Sequence, residues 1–276
     1  SQSTALGAFA LRDQFQGASA NNTAVGFRAG LLTTDGIKNV YIGADAALSS
    51  TTANKNVVIG SQAADSMTTG AENVFVGESA AGSGVVTGND NVAVGIFAGG
   101  NLTTGDNNTL LGRDAGVTGS PGGNINSEDN HFCLGDENII ELHCQVALTV
   151  ASDERDKTDF SDLDLGLDFV KALEPVTYYW DKRSKYGDKY ADDYDLNAQT
   201  PDGTHKEDWM DVGFKAQSVK ALEEASGHKM ADKKNLTVAL SGDSKQYGLR
   251  YEKFVPILVK AIQELSAEVE KLKSGG

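Results

Sequence analysis

NVVIGSQAA, from Asn56 to Ala64, returns along the first half of the chain with small changes. It recurs as NTAVGFRAG from Asn22, NVYIGADAA from Asn39, NVFVGESAA from Asn73, NVAVGIFAG from Asn91 and NTLLGRDAG from Asn108. The glycines Gly26, Gly43, Gly60, Gly77, Gly95 and Gly112 follow one another every 17 or 18 residues. An asparagine stands four before each glycine and an alanine three after it, from Ala29 to Ala115. TALGAFA with Gly7 is a degenerate first copy, and HFCLG with Gly135 a degenerate last one. A unit this short has no room for a helix pair. It suits one short strand, a tight glycine bend, a second short segment and a turn rich in Thr, Gly and Asn, such as LTTGDN (Leu102 to Asn107). Each unit buries only a few small apolar side chains, so stacking of units or trimerisation must supply a continuous core. The repeat asparagines are read as satisfying backbone groups at turns, not as ligand contacts.

Beyond this array the composition changes. Residues 1–151 hold 22 of the 31 glycines and 19 charged residues, whereas residues 152–276 hold nine glycines and 44 charged residues. Two regions, 1–151 and 152–276, therefore meet near Ala151. The chain of 276 residues has a net charge of -15, which argues against a nucleic-acid surface and against anionic lipid, and is compatible with carbohydrate or protein partners. No apolar run is long enough to span a bilayer, so no membrane insertion is expected. The first residues lack both a Met and a basic stretch, so no signal peptide is expected there and the chain is expected to be a piece of a longer protein. Cys133 and Cys144 are too few for a disulfide framework and are expected to be reduced.

After the change in composition, Leu163 to Trp180 reads as a helix stopped by Pro175 and followed by a strand. Asp181 to Asp211 is acidic, Tyr-rich and irregular, and reads as a long surface loop. Val212 to Ala225 reads as a strand end leading into a helix. Leu249 to Lys273 is the strongest helical pattern, with Pro256 tolerated in its first turns. Its apolar residues Phe254, Leu258, Ile262, Leu265, Val269 and Leu272 have coiled-coil spacing. About two heptads is too short to hold alone, so the seam is expected to assist an existing trimer.

Two resemblances follow from these residues. The repeats from Asn22 to Ala115 resemble those of trimeric adhesin heads and phage tail fibres, which implies a β-roll or an interleaved β-prism. The series SDERDK (Ser152 to Lys157), ALEPVTYYW, GFKAQ (Gly213 to Gln217) and LRYEKFVPILVKAIQEL resembles the intramolecular chaperone domain of phage tailspikes and tail fibres, the peptidase S74 family, from Ser152 to about Lys273. Ser152, Asp153, Arg155 and Lys157 match the opening S-D-x-R-x-K motif of that family. The resemblance implies a self-cleaving Ser/Lys dyad, with Ser152 as nucleophile, Lys157 as base and the cut between Ala151 and Ser152. Asp153 and Arg155 are read as supporting residues that fix a turn. A serine hydroxyl needs a base. A lysine serves as one only when its pKa falls from about 10.4, by burial or a nearby cation. Residues five apart face poorly on a helix, so the motif is expected at a turn or a helix entry. Oxyanion donors are also required and are not marked by the sequence.

Other candidates are weaker. His131, Cys133, His143 and Cys144 have no recognised zinc spacing, and HFCLG and LHCQV read as strands, so no metal is assigned. Asp188, Asp192, Asp193 and Asp195 lack the order of a calcium loop. No cofactor and no glycosidase pair is assigned. The expected architecture is a β-rich trimeric repeat followed by an α+β chaperone domain ending in a long helix and a short trimeric coiled coil. The expected role is the C-terminal part of a virion tail fibre, made in the host cytoplasm and acting as a homotrimer on a host cell-surface glycan or protein. The alternatives are a non-phage trimeric surface adhesin and a membrane-tethered transcription factor that uses the same domain. The acidic, repetitive first region counts against the second of these.

Overall fold

The computed structural model describes residues 2–15, 20–191 and 193–275. Eight three-residue strands form one parallel sheet in sequence order. They are β1 (Thr4–Leu6), β2 (Thr23–Val25), β3 (Val40–Ile42), β4 (Val57–Ile59), β5 (Val74–Val76), β6 (Val92–Val94), β7 (Thr109–Leu111) and β8 (Phe132–Leu134). Equivalent residues stack in register, Val40 on Val57 on Val74 on Val92. The region is thus a β-solenoid, one strand per turn.

From β2 to β8 the middle residue of each strand points inward, whereas Ala5 of β1 is exposed. Ala24, Tyr41, Val58, Phe75, Ala93, Leu110 and Cys133 join the alanines of the repeat in one buried core. The second short segment, after each glycine, is not a ladder strand. Residues in left-handed conformation alternate along it, such as Gln62 (φ 56°) and Ala64 (φ 43°). Its groups still bond from turn to turn, for example Ala47 N–H to Ala63 O at 2.9 Å and Ala64 N–H to Ala80 O at 2.8 Å. The glycine bend has a steric cause. Gly60 has φ 143°, and a Cβ there would collide with the carbonyl of Gly77 in the next turn.

The asparagines form a buried ladder. Asn56 Oδ1 accepts from the backbone N–H and the side-chain amide of Asn73, at 2.9 and 3.1 Å. The Asn56 amide itself donates to Gly70 O at 2.8 Å and to Asn39 Oδ1 at 3.1 Å. Asn22, Asn39, Asn73, Asn91 and Asn108 continue this pattern and all are fully buried. A buried amide with every group paired specifies register without leaving an unmet polar atom.

The interleaved prism is corrected here. From β2 to β7, each strand pairs with the turn before and the turn after it in the same chain. A 17-residue return closes a short loop, which costs far less entropy than recruiting a strand from another chain.

Two compact units emerge. The first contains Ser1–Ile140, Lys182–Asp202 and Ser241–Lys245, and the second contains Glu141–Asp181, Gly203–Leu240 and Gln246–Gly276. The stretch read as a surface loop therefore contributes Lys182–Asp202 to the solenoid unit. Lys189 Nζ pairs with Asp114 at 3.1 Å and with Glu137 at 2.9 Å, and its side chain is only 12% exposed. The Tyr190 hydroxyl donates to Asp114 at 2.7 Å, and its ring lies 5.4 Å from that of Phe97. Asp243 accepts from Asn124 N–H at 3.0 Å. Solenoids need such caps at their ends. Burial lowers the Lys189 pKa, but the pairs with Glu137 and Asp114 outweigh it, and the net shift is upward. Asp192 of the acidic loop lies outside the described residues.

The second unit holds helix α1 (Leu167–Ala172), the antiparallel pair β9 (Val176–Tyr178) and β10 (Asp211–Gly213), helix α2 (Ala216–Ala225), the pair β11 (Val238–Leu240) and β12 (Tyr247–Leu249), and helix α3 (Phe254–Ser274). Tyr247–Leu249, whose last residue opens the predicted helix, pairs with β11, and a single 3-10 turn at Tyr251–Lys253 precedes α3. Leu165, Phe169, Val219, Val238, Phe254 and Ile257 form the core of this unit. Phe254 was expected on the outward seam of the last helix and instead faces inward with Ile257 and Ala261. Its ring stacks 5.4 Å from Phe214, which explains why burial claims it. Leu258, Ile262, Leu265, Val269 and Leu272 keep the expected spacing and are exposed in the single chain.

Candidate active site

The chain from Glu141 to Phe160 is exposed throughout. Within it, local chemistry alone builds a turn. Asp153 is extended (φ -62°, ψ 132°), and its carboxylate accepts from Arg155 N–H at 2.9 Å, capping the 3-10 turn Glu154–Asp156. Lys157 leaves the turn extended, with φ -127° and ψ 151°. Asp and other short polar acceptors favour such caps because they satisfy the first free N–H groups.

The turn brings the ends of the motif together. Lys157 Nζ lies 2.6 Å from Ser152 Oγ and 3.1 Å from the carbonyl oxygen of Ser152. Fully extended, the same five steps would span roughly 17 Å. Arg155 clamps Asp153 from the other side, with Nε to Oδ1 at 3.0 Å and Nη2 to Oδ2 at 2.6 Å. The Arg155 side chain, and then its N–H, hold the Asp153 carboxyl below the usual carboxylate range, and the same pairing raises the guanidinium. Arg155 is thus engaged with Asp153. Both groups are exposed, so the clamp shapes the turn and adds little stability.

The second family landmark is structural. Gly213 ends β10, where a Cβ would collide with the Tyr251 hydroxyl, and Phe214 N–H donates to that hydroxyl at 3.3 Å. Ala216 and Gln217 open α2. Glu223 on α2 is buried and accepts from Leu236 N–H at 3.2 Å and from Thr237 N–H at 2.6 Å. No sequence signal marked this carboxylate, because a Glu on a helix usually faces water.

The candidate metal residues do not form a cluster. Cys133 is buried in the solenoid core, and His131 donates its N–H to Asn108 Oδ1 at 2.9 Å. His143 contacts Glu141 at 2.7 Å in the exposed segment. LHCQV, read as a strand, joins no ladder in the single chain. Among the described residues, no group of three or more His, Cys, Asp or Glu is placed to hold a metal, and no helix is long and apolar enough to cross a membrane.

No curated protein and no solved structure matches the chain. A family model does: Peptidase_S74, described as the chaperone of endosialidase, a family of self-cleaving peptidases, matches residues 152–228. The matched stretch begins at Ser152 and includes the Gly213–Gln217 landmark, but ends before β11 and α3, where the sequence resemblance had continued.

Proposed function

We propose that the chain is part of a virion tail fibre or tailspike, in which residues 152–276 act as an intramolecular chaperone and then cut themselves from residues 1–151. The observation that carries this reading is the approach of Lys157 Nζ to Ser152 Oγ, at 2.6 Å, on the first residue of the family match. Lys157 in its neutral form takes the proton of Ser152 Oγ. The oxygen then bonds to the carbonyl carbon of Ala151, one residue back. The Ala151–Ser152 C–N bond breaks, and the nitrogen takes the proton. The resulting ester is hydrolysed by water to the Ala151 carboxylate and the free hydroxyl. Asp153 and Arg155 hold the turn that makes the approach possible.

In the single chain the lysine is exposed, with Nζ within hydrogen-bond distance of both serine oxygens. Its conversion to a base requires surroundings that disfavour its charge. Assembly as a homotrimer supplies them, with the outward seam of α3 as a parallel coiled coil. Cleavage therefore follows assembly. The solenoid presents exposed turns to a host receptor, a glycan or protein.

Denaturing gels and intact-mass measurement of the purified chain test the reading. Two products ending at Ala151 and starting at Ser152 are expected, with a single uncut chain for Ser152→Ala. Full cutting of Ser152→Ala, or a cut elsewhere, refutes it.

A further inference from the structure

The residues just before the proposed cut have a strict period of two. Ile140, Leu142, Cys144, Val146, Leu148 and Val150 are apolar, while Glu141, His143, Gln145 and Thr149 stand between them with Ala147 and Ala151. Such alternation is the pattern of a strand with one buried face. Here that face is bare. Leu142 is 65% exposed, Val146 76%, Leu148 81% and Val150 73%. Among the described residues no strand ladder includes this segment. The polar positions already share one side, since His143 and Glu141 touch at 2.7 Å. An apolar, unpaired strand is a template for pairing with another chain.

We propose that residues 140–151 form an intermolecular β-strand, and that its partners are the same segment of two further copies of this chain. This deepens the homotrimer reading above and rests on it. Three observations favour copies of the chain as the occupant. The segment is self-complementary, because three in-register copies that turn their apolar faces to a common axis place Leu142, Val146, Leu148 and Val150 against their own counterparts and hold position 145 on the outside. The same unit carries a second bare apolar face, the α3 seam from Leu258 to Leu272, whose heptad spacing fits parallel copies. The area fits an addition to that seam. At roughly 100 Å² for each large aliphatic side chain, three chains cover roughly 1,500 Å², about 500 Å² for each pair. That is less than the ~1,200–2,000 Å² of a stable two-partner interface, so the strand acts together with α3.

The apolar period ends at Val150, and the proposed cut falls after Ala151. The strand therefore stays with the solenoid, and the three copies remain joined after the chaperone is cut away.

Cys144 lies on the apolar face and is exposed in the single chain, while Cys133 is buried, so the native chain carries its own reporter. The full chain is oxidised with copper–phenanthroline, the metal taking two electrons as two thiols lose their protons, and resolved on non-reducing denaturing gels. Mass by light scattering is measured on the same samples. Linked pairs of the segment's own fragment, or of the uncut chain, are expected, and none from Cys144→Ser. Gln145→Cys in the Cys144→Ser background reports the opposite face. It should link at least about tenfold more slowly, because a disulfide needs Cβ atoms roughly 4 Å apart. A trimer that fails to link through Cys144, or that links equally through position 145, overturns this inference and leaves the trimer reading intact. A monomer overturns both. Linking to a species that is not a copy of the chain also overturns it, in favour of a different partner.

Discussion

The solenoid and the stretch from Glu141 to Phe160 belong to one chain and treat their polar and apolar groups in opposite ways. In the solenoid, each inner turn is the template for the next, and the core and the asparagine ladder are fully buried. In the exposed stretch, four large aliphatics and the Ser152–Lys157 pair face water. A repeating backbone can satisfy itself along one dimension and requires only its ends to be capped. A short irregular segment has no such neighbour, so any order beyond the local turn from Asp153 to Lys157 must come from outside the chain.

The sharpest test of the first half of this comparison is Gly60→Ala. A side chain at φ 143° against the Gly77 carbonyl forces adjacent turns apart. A loss above ~4 kcal/mol in urea denaturation is expected, and a shift of less than ~1 kcal/mol would show that the turns are not coupled through this contact. Asn73→Ala comes next. It strips partners from Asn91 N–H at 2.9 Å and from Gly88 O at 2.9 Å inside the core, and should cost ~2–4 kcal/mol. A near-neutral result would mean that the ladder relaxes around the gap.

Leu265→Asp probes the other side of the comparison. The side chain is 48% exposed in the single chain, so the fold of each unit should survive by circular dichroism. Assembly and cleavage should both fail. Efficient cutting in a chain shown to be monomeric would remove the link between assembly and chemistry.

Lys189 addresses what holds the pieces after the cut. It lies in the part that would be severed, yet pairs with Asp114 and Glu137 of the solenoid unit. The two products should therefore co-elute at neutral pH, and Lys189→Ala should let them separate. The sign of the pH effect follows from the raised pKa of this lysine. Its contribution is present below the unfolded-state value of about 10.4 and is lost as pH rises through the folded value. Separation at neutral pH in the unaltered protein would show that the cap is too weak to retain the domain.

Ser152→Ala should change stability least, within ~0.5 kcal/mol as for exposed sites, while abolishing the cut. Lys157→Arg should abolish it as well, because a guanidinium does not give up its proton at neutral pH. A cleaved Lys157→Arg chain would exclude this side chain as the base.

Much of this was legible in residue order. The 17-residue period with Gly60 and its equivalents dictated a stack of short strands, because a residue without Cβ is required wherever successive turns touch. Ser152 and Lys157, with Asp153 and Arg155 between them, specified a turn through contacts only a few residues long. The apolar spacing from Leu258 to Leu272 specified one outward face of α3. Only the tertiary structure decided that the strands pair within one chain and that Phe254 turns inward to Phe214. It alone placed Lys189 on Asp114 and Glu137, and made Glu223 an acceptor for Thr237. The division has a physical cause. Period, capping and backbone sterics act over a few residues and leave a local signature. A docking contact depends on which distant surface has the matching shape and charge, and that surface carries no mark in the neighbouring residues.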